Sequence, residues 1–361
     1  MSKNNLNTYI AYMLKQYENF LGGHFKKFRR FMISPGASLT VLISLFGIVF
    51  CSIILLAQSM VVRGIFVFGE SDSFVAHAFE SVAGVPEKKP IEIAIYKDSF
   101  ATIEIKAQAA YVFDVKTGRV LYEKNKDKVL PLASITKVMT ALVATESVND
   151  PAMIIKFTDS ARGKTAEENW HLNDLLDYML VTSSNNAATT IAATIGAQPS
   201  FKKDPASQLS SKELFIEKMN NRAKELNMQN TVFYNESGLD IDTSQAGSYS
   251  SASDVATLFS YVLKNDPKLL EATRSPYVDI RSTNNDIYHG KNTNTLVGTT
   301  PGLIASKTGL TDLAGGNLCI AYDSGLGTPV VIVVLGSTEN GRFDDVETLR
   351  VASQEVVSQK F

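Results

Sequence analysis

Ser134 and Lys137 are the residues from which chemistry could start. A separation of three puts both side chains on one face of a helix, about one turn apart. A serine hydroxyl is a weak nucleophile until a base takes its proton, and burial or a second nearby cation can lower a lysine's pKa enough to make its amine that base. A helix N-terminus adds a favourable field for developing negative charge. The S-x-x-K spacing alone is weak evidence, because Ser200 and Lys203 repeat it in a segment that reads as a loop. Corroboration comes from Ser183-Ser184-Asn185, an S-x-N in a helical stretch, and from Lys307-Thr308-Gly309 on a predicted strand. Decoys exist at Lys116-Thr117-Gly118 and at the S-x-N triplets starting at Ser147, Ser184 and Ser282. Only the chosen three run in the order serine helix, helical layer, late strand.

The elements that must position these residues follow from periodicity. The run AAYVFDVKTGRVLYEK is two alternating apolar stretches around Lys116-Thr117-Gly118, a hairpin signal. Pro131 announces a helix carrying Val138, Ala141 and Leu142 at helical spacing, and proline is tolerated at a helix start, where its missing N–H is not needed. From about 152 to 268 the pattern is mostly helical, in NDLLDYML, NNAATTIAATIG, ELFIEKMNNRAKELN and SASDVATLFSYVLK. LIASKTGL, NLCIAYDSG and TPVVIVVLG then read as three strands, and Val346, Leu349, Ala352 and Val356 as a final helix face. Strands, helices, strands and a helix predict an α/β (α+β) fold, an antiparallel β-sheet flanked by helices with an all-helical subdomain between early and late strands.

The chain has 361 residues, 45% of them hydrophobic, enough for a tail, an anchor and one substantial core or for two ordinary domains, and composition alone does not choose between these. A net charge of -2 gives no basic surface for nucleic acid. The charge is unevenly placed. Residues 1–30 carry Lys3, Lys15, Lys26, Lys27, Arg29 and Arg30 against Glu18, and the next charge is Arg63. The uncharged apolar run from Leu39 to Met60 meets the roughly 20 residues that span a bilayer. A cleavable signal peptide has a shorter apolar region, about 7–15 residues. The expected organisation is a cytoplasmic basic tail (1–37), a transmembrane signal-anchor helix (38–62), an extracytoplasmic connector (63–106) and a catalytic domain (107–361). Leu6, Ile10, Met13, Tyr17 and Leu21 give the tail an amphipathic spacing. Cys51 lies in the span and Cys319 in an apolar strand, so no internal disulfide is expected.

From about Ala107 to Phe361 the chain resembles the low-molecular-mass penicillin-binding proteins, the serine D-Ala-D-Ala carboxypeptidase family. Collinear segments carry the resemblance: AAYVFDVKTGRVLYEKNKDKVLPLASITKVMTALVA, DLLDYMLVTSSNNAATTIA, MNNRAKELNMQNTVFYNESGLD, SSASDVA and GLIASKTGLTDLAGGNL. It implies a transpeptidase/β-lactamase-like fold, acylation of Ser134 with Lys137 as base, and a proton relay through Ser183 to the leaving D-alanine. It further implies that Asn185 orients substrate and Lys137, that Lys307 and Thr308 hold the terminal carboxylate, and that Gly309 leaves the strand edge clear for an extended peptide. The oxyanion hole would be the backbone N–H groups of Ser134 and Leu310. The implied partners are a stem peptide ending in D-Ala-D-Ala, β-lactams as inhibitors, and membrane lipid through the N-terminal helix, with no cofactor.

Three departures accompany the likeness. The chain stops soon after its last helix, where many members continue into a β-rich domain and a C-terminal anchor, and the N-terminal span is expected to replace that anchor. Leu310 stands where some members have histidine, and Asn186 where aspartate is frequent. A class A β-lactamase would need a glutamate positioned to activate water, and no E-x-x-L-N segment lies between Asn185 and Lys307. D,D-endopeptidase action uses the same machinery and stays open, as does a non-catalytic scaffold that keeps the fold. A Ser-His-Asp hydrolase would need a placed histidine, and His24, His77, His171 and His289 read as surface or core residues. No cluster at ligand spacing points to a metal.

Overall fold

The computed structural model describes residues 99–150, 153–160, 163–201, 208–325 and 327–358. The expected tail, the apolar span and most of the connector lie outside the described residues. Among the described residues no helix is long and apolar enough to cross a membrane.

Strand β1 (Ala109–Asp114) turns back into β2 (Arg119–Lys124), with the Asp114 carboxylate accepting the N–H groups of Lys116 and Thr117 at 3.0 Å each. This is the hairpin predicted around Lys116-Thr117-Gly118. A short strand β3 (Leu130–Pro131) leads through a 3₁₀ turn (Ala133–Thr136) into α1 (Lys137–Ser147). The ribbon β4 (Ile154–Phe157) and β5 (Glu168–His171) precedes α2 (Leu172–Thr182), α3 (Asn185–Gly196) and α4 (Ser211–Glu225). Strands β6 (Val232–Phe233) and β7 (Ser248–Ser250) join β3 in a small sheet. Helix α5 (Ala252–Asn265), a 3₁₀ segment (Pro267–Arg274) and the ribbon β8 (Tyr277–Arg281) and β9 (Ile287–Lys291) follow. The chain returns to the main sheet in β10 (Leu303–Thr311), β11 (Gly315–Asp323) and β12 (Pro329–Ser337) before α6 (Gly341–Ser358).

The main sheet is antiparallel throughout in the order β10-β11-β12-β1-β2. Period-2 alternation sends Leu318, Ile320 and Tyr322 of β11 and Val330, Ile332 and Val334 of β12 toward Val346, Leu349 and Val357 of α6. The intervening Cys319, Ala321, Val331, Val333 and Leu335 join the larger core with α1 and α5. Burial on both faces is why these strands read as nearly continuous apolar runs. Each fully buried valine, leucine or isoleucine contributes about 1.5–3 kcal/mol.

Three details depart from the periodicity reading. The middle is not all-helical. Ile155, Phe157 and Trp170 of the β4–β5 ribbon are buried, with the Trp170 ring 5.4 Å from Tyr178 of α2 and 4.5 Å from Tyr288 of β9. Four-residue strands held by distant aromatic partners give too short an alternation to stand out among helices. Helix α5, read with the helical layer, packs instead on β1 and β12 of the sheet. On α6 the final apolar contact is Val357, with Val356 half-buried.

Strand β10 forms one edge of the sheet. Beside it, fully buried Asn317 of β11 donates to the carbonyls of Pro131 and Leu132 at 2.9 and 3.1 Å, and accepts from the Gly336 N–H at 2.7 Å. One side chain thus joins two sheet strands to the segment entering the Ser134 turn. Asn317→Ala leaves these buried groups unpaired, so a loss of about 1–3 kcal/mol is expected. Urea unfolding checks this, with a lower midpoint at an unchanged slope.

Candidate active site

Ser134 sits in the 3₁₀ turn that runs into α1, directly after Ala133, which has a left-handed φ of 50°. A non-glycine residue there carries strain of about 1–3 kcal/mol and persists only where its surroundings over-determine it. Those surroundings are visible. Thr136 Oγ1 donates to the Ala133 carbonyl at 2.7 Å. A Cβ on Gly238 (φ 78°) would lie 1.9 Å from the same carbonyl, and one on Gly309 would lie 2.6 Å from the Leu132 carbonyl. The missing side chain of Gly309 therefore admits the serine turn itself, a packing reason that comes before any access for a peptide.

Lys137, the first residue of α1, is 0% exposed. Its Nζ lies 2.8 Å from Ser134 Oγ, 2.7 Å from Asn185 Oδ1 and 2.7 Å from the Ser237 carbonyl oxygen. The last two can only accept. A neutral amine has two hydrogens and one lone pair, so it donates to both acceptors and keeps the lone pair for the Ser134 hydroxyl. Burial drives its pKa well below the usual lysine range, the Lys307 charge adds to this, and Glu236 opposes it.

The second lysine mirrors the first. Lys307 on β10 is 1% exposed and donates to Ser183 Oγ at 3.0 Å and to the Thr308 carbonyl at 3.1 Å. Burial, helped by the Arg342 guanidinium, lowers its pKa to about 7. Ser183 is the left-handed residue (φ 60°) closing α2, while Ser184 caps α3 by accepting the Ala187 N–H at 3.1 Å. This break between two helices delivers Ser183 to one lysine and Asn185 to the other. The Thr308 and Thr293 hydroxyls are 2.6 Å apart, and Arg342 of α6 donates to the Gly309 carbonyl at 2.7 Å. Leu310, next along β10, is 43% exposed.

A loop between β6 and β7 closes the site. Asn235 Oδ1 accepts the Gly238 N–H at 2.7 Å, and Asp240 accepts from Thr311 Oγ1 and the Leu313 N–H at 3.0 and 3.2 Å. Hydrogen bonds or packing thus connect Ser134, Lys137, Asn185 and Gly309, and a direct bond joins Ser183 to Lys307. Thr308 and Leu310 are their neighbours on β10. Periodicity missed Ser237, Glu236, Thr293, Asn317 and Arg342. The turn-rich NESGLD string was the available signal for the first two, whereas the others act through contacts distant in sequence. Asn186, at the position where aspartate is frequent in the family, donates to the Thr158 carbonyl at 2.5 Å. His289 pairs with Asp279 at 2.7 Å on the β8–β9 ribbon, and among the described residues no group of three or more metal-ligating side chains is placed to hold an ion.

A serine hydroxyl in contact with a fully buried lysine amine at a helix start, beside a sheet edge that carries a second buried lysine, has the parts that a serine acyl-transfer site requires. The chain belongs to the D-alanyl-D-alanine carboxypeptidase family, peptidase S11, whose model matches residues 96–339. It is 31% identical over 252 residues to the D-alanyl-D-alanine carboxypeptidase DacF of Bacillus subtilis, covering 65% of this chain and 59% of that one. It is 33% identical over 219 residues to the D-alanyl-D-alanine endopeptidase of Haemophilus influenzae, covering 58% and 66% respectively. The chain thus spans less than two thirds of these two relatives. Penicillin-binding protein D2 of Listeria monocytogenes, in its ampicillin-bound form, superposes with a TM-score of 0.58 at 31% identity, over 69% of this chain and 98% of that one.

The serine turn yields a paired prediction. Gly238→Ala adds a clash with backbone to a positive φ, whereas Gly118→Ala meets a positive φ with nothing within 4 Å. Thermal unfolding is expected to show a loss of about 1–2 kcal/mol for Gly118→Ala and a larger loss for Gly238→Ala.

Proposed function

We propose that the chain is a membrane-anchored serine D-alanyl-D-alanine carboxypeptidase, which removes the terminal D-alanine of peptidoglycan stem pentapeptides through an acyl-enzyme on Ser134. The observation that carries this reading is Lys137, fully buried, with two acceptors taking its hydrogens and its third contact the Ser134 hydroxyl. Residues 1–37 are read as a cytoplasmic tail, 38–62 as the anchor, 63–106 as an extracytoplasmic connector and 107–361 as the catalytic domain outside the membrane.

In this reading Ser134 Oγ attacks the carbonyl of the penultimate D-alanine while its proton passes to Lys137. The N–H groups of Ser134 and Leu310 receive the oxyanion, and loss of one such donor typically costs about a hundredfold or more in rate. Lys307 and Thr308 hold the terminal carboxylate, Asn185 orients the peptide and Lys137, and Gly309 leaves the edge of β10 free for an extended substrate. As the C–N bond breaks, Ser183 passes its proton to the leaving amine and is reprotonated with the proton that Lys137 took from Ser134, which leaves Lys137 neutral again. Water then attacks the ester, giving one proton to Lys137, and Lys137 passes it to Ser134 Oγ as the acyl group leaves, so that serine and lysine both return to their starting states. A β-lactam amide would acylate the same serine, and the ampicillin-bound form of the Listeria relative supports this. Endopeptidase action on cross-links is a second reading, favoured by the Haemophilus relative. Purified cross-linked muropeptides against pentapeptides separate the two.

Fluorescent penicillin labelling is the direct test. A slowly released adduct is expected that Ser134→Ala eliminates and Lys137→Ala reduces nearly as far, by about a hundredfold or more. Acylation at the wild-type rate in Lys137→Ala would remove the lysine from the mechanism, and rapid release of label would point to a β-lactamase.

The two lysines also set a pH dependence. Productive encounter needs Lys137 neutral and Lys307 charged. On the acid side kcat/KM falls as Lys137 takes a proton, and on the alkaline side it falls as Lys307 loses one near pH 7. A bound carboxylate stabilises the charged form of Lys307, so the alkaline limb of kcat is expected at higher pH than that of kcat/KM. Lys307→Arg, which stays charged, should push the alkaline limb of kcat/KM upward. An unmoved limb would assign it to another group.

A further inference from the structure

We infer that Glu236 is a positioning residue for Lys137, tying together its two oxygen acceptors and supplying a negative charge that sets how readily its amine takes a proton. Glu236 is 3% exposed in the loop between β6 and β7. Its carbonyl accepts the Thr140 hydroxyl at 2.6 Å, and the next carbonyl, of Ser237, accepts from Lys137 at 2.7 Å. Residues 137 and 140 lie one turn apart on α1, so two consecutive loop carbonyls dock on one helix face. The carboxylate of Glu236 reaches the other way and accepts the Thr189 hydroxyl of α3. Thr189 is four residues beyond Asn185, whose Oδ1 is the other acceptor of Lys137. One side chain therefore joins the element that supplies the first acceptor to the element that supplies the second.

The charge of Glu236 acts separately from the tie. A buried carboxylate costs stability unless fully paired, and Oε2 of Glu236 has no hydrogen-bond partner among the described residues. Its nearest ion pair is loose, with Lys212 of α4 at 4.0 Å and about half-exposed. A neutral hydrogen-bonding side chain would make the same tie at lower cost, so the charge calls for another reason. Two charges act on Lys137 from the elements packed around it, Lys307 from β10, which disfavours its protonation, and Glu236, which favours it. Arg342 from α6 acts on Lys307 in turn. With burial and Lys307 unopposed, Lys137 would be neutral but a poorer base, and general-base efficiency falls with basicity.

This inference rests on Lys137 being the base, and the test separates the two claims. Acylation of the detergent-solubilised full chain by a fluorescent penicillin is followed against pH for wild type, Glu236→Gln, Glu236→Ala and Lys137→Ala. Glu236→Gln keeps an oxygen for Thr189 and removes the charge. Its acid limb is expected to move down by about half a pH unit or more, less than the 1–3 units of a directly paired charge. Glu236→Ala, which also loses the tie, should acylate about tenfold more slowly than wild type at the plateau, short of the roughly hundredfold that a 1 Å misplacement can cost. An unmoved acid limb in Glu236→Gln, with Lys137→Ala inactive, overturns the charge role and leaves the base intact. Full acylation in Lys137→Ala overturns the base reading itself. Should the Glu236 variants not fold, Thr189→Val breaks the tie from α3, and acylation at the wild-type rate there would overturn the positioning role.

Discussion

Two lysine amines buried in one site are the constraint around which the structure is arranged. An isolated buried ammonium carries a desolvation penalty of several kcal/mol, and a second one nearby adds repulsion, so one of the pair gives up its proton. The surroundings decide which. Lys137 is met by two acceptors that take its hydrogens and a hydroxyl that uses its lone pair, whereas Lys307 meets a serine hydroxyl and a carbonyl on a strand edge. The first is suited to be a neutral base. The second, in the proposed mechanism, is the cation that meets the substrate carboxylate.

Holding two such groups needs rigid supports, and the strain in the backbone shows where they act. Ala133 and Ser183 both have left-handed φ values, one just before the nucleophile and one at the serine beside Lys307. The turn around Ala133 is held both from within and from distant elements. Ala133 is pinned by Thr136, Gly238 and Gly309, from α1's entry turn, the β6–β7 loop and β10, while Asn317 clamps the two preceding carbonyls. The sheet contributes a platform buried on both faces. The helices contribute their ends, where a residue can leave regular geometry without breaking a ladder of hydrogen bonds.

Much of this was legible in the sequence, and what was missed has a common cause. The hairpin at Lys116-Thr117-Gly118, the late strands and the helices at 172–182, 185–196 and 252–265 each have a periodicity that one segment carries alone. Ser134, both lysines and the S-x-N, which the structure brings together, stand out in the sequence because their spacing is local or their strings are distinctive. The β4–β5 ribbon, the placement of α5 on the sheet and the parts played by Asn317, Arg342 and Glu236 depend on partners far away in the chain. Periodicity is blind to such partners. The turn string NESGLD announced a loop without saying what its carbonyls would face.

The decoy motifs show what the fold adds to spacing. Lys116-Thr117-Gly118 has the composition of Lys307-Thr308-Gly309, yet its lysine is exposed in a tight turn organised by Asp114. The triplet at Ser282 forms the connection of the β8–β9 ribbon, and the one at Ser147 begins at the last residue of α1. An exposed lysine attracts a carboxylate only weakly through water. Burial is what separates Lys307-Thr308-Gly309 from its copy. It requires that Lys307 lie on an edge strand whose inner neighbour, β11, is sealed by apolar side chains on both faces. What the motifs can do therefore resides less in their letters than in the fold that takes water away from two of their lysines.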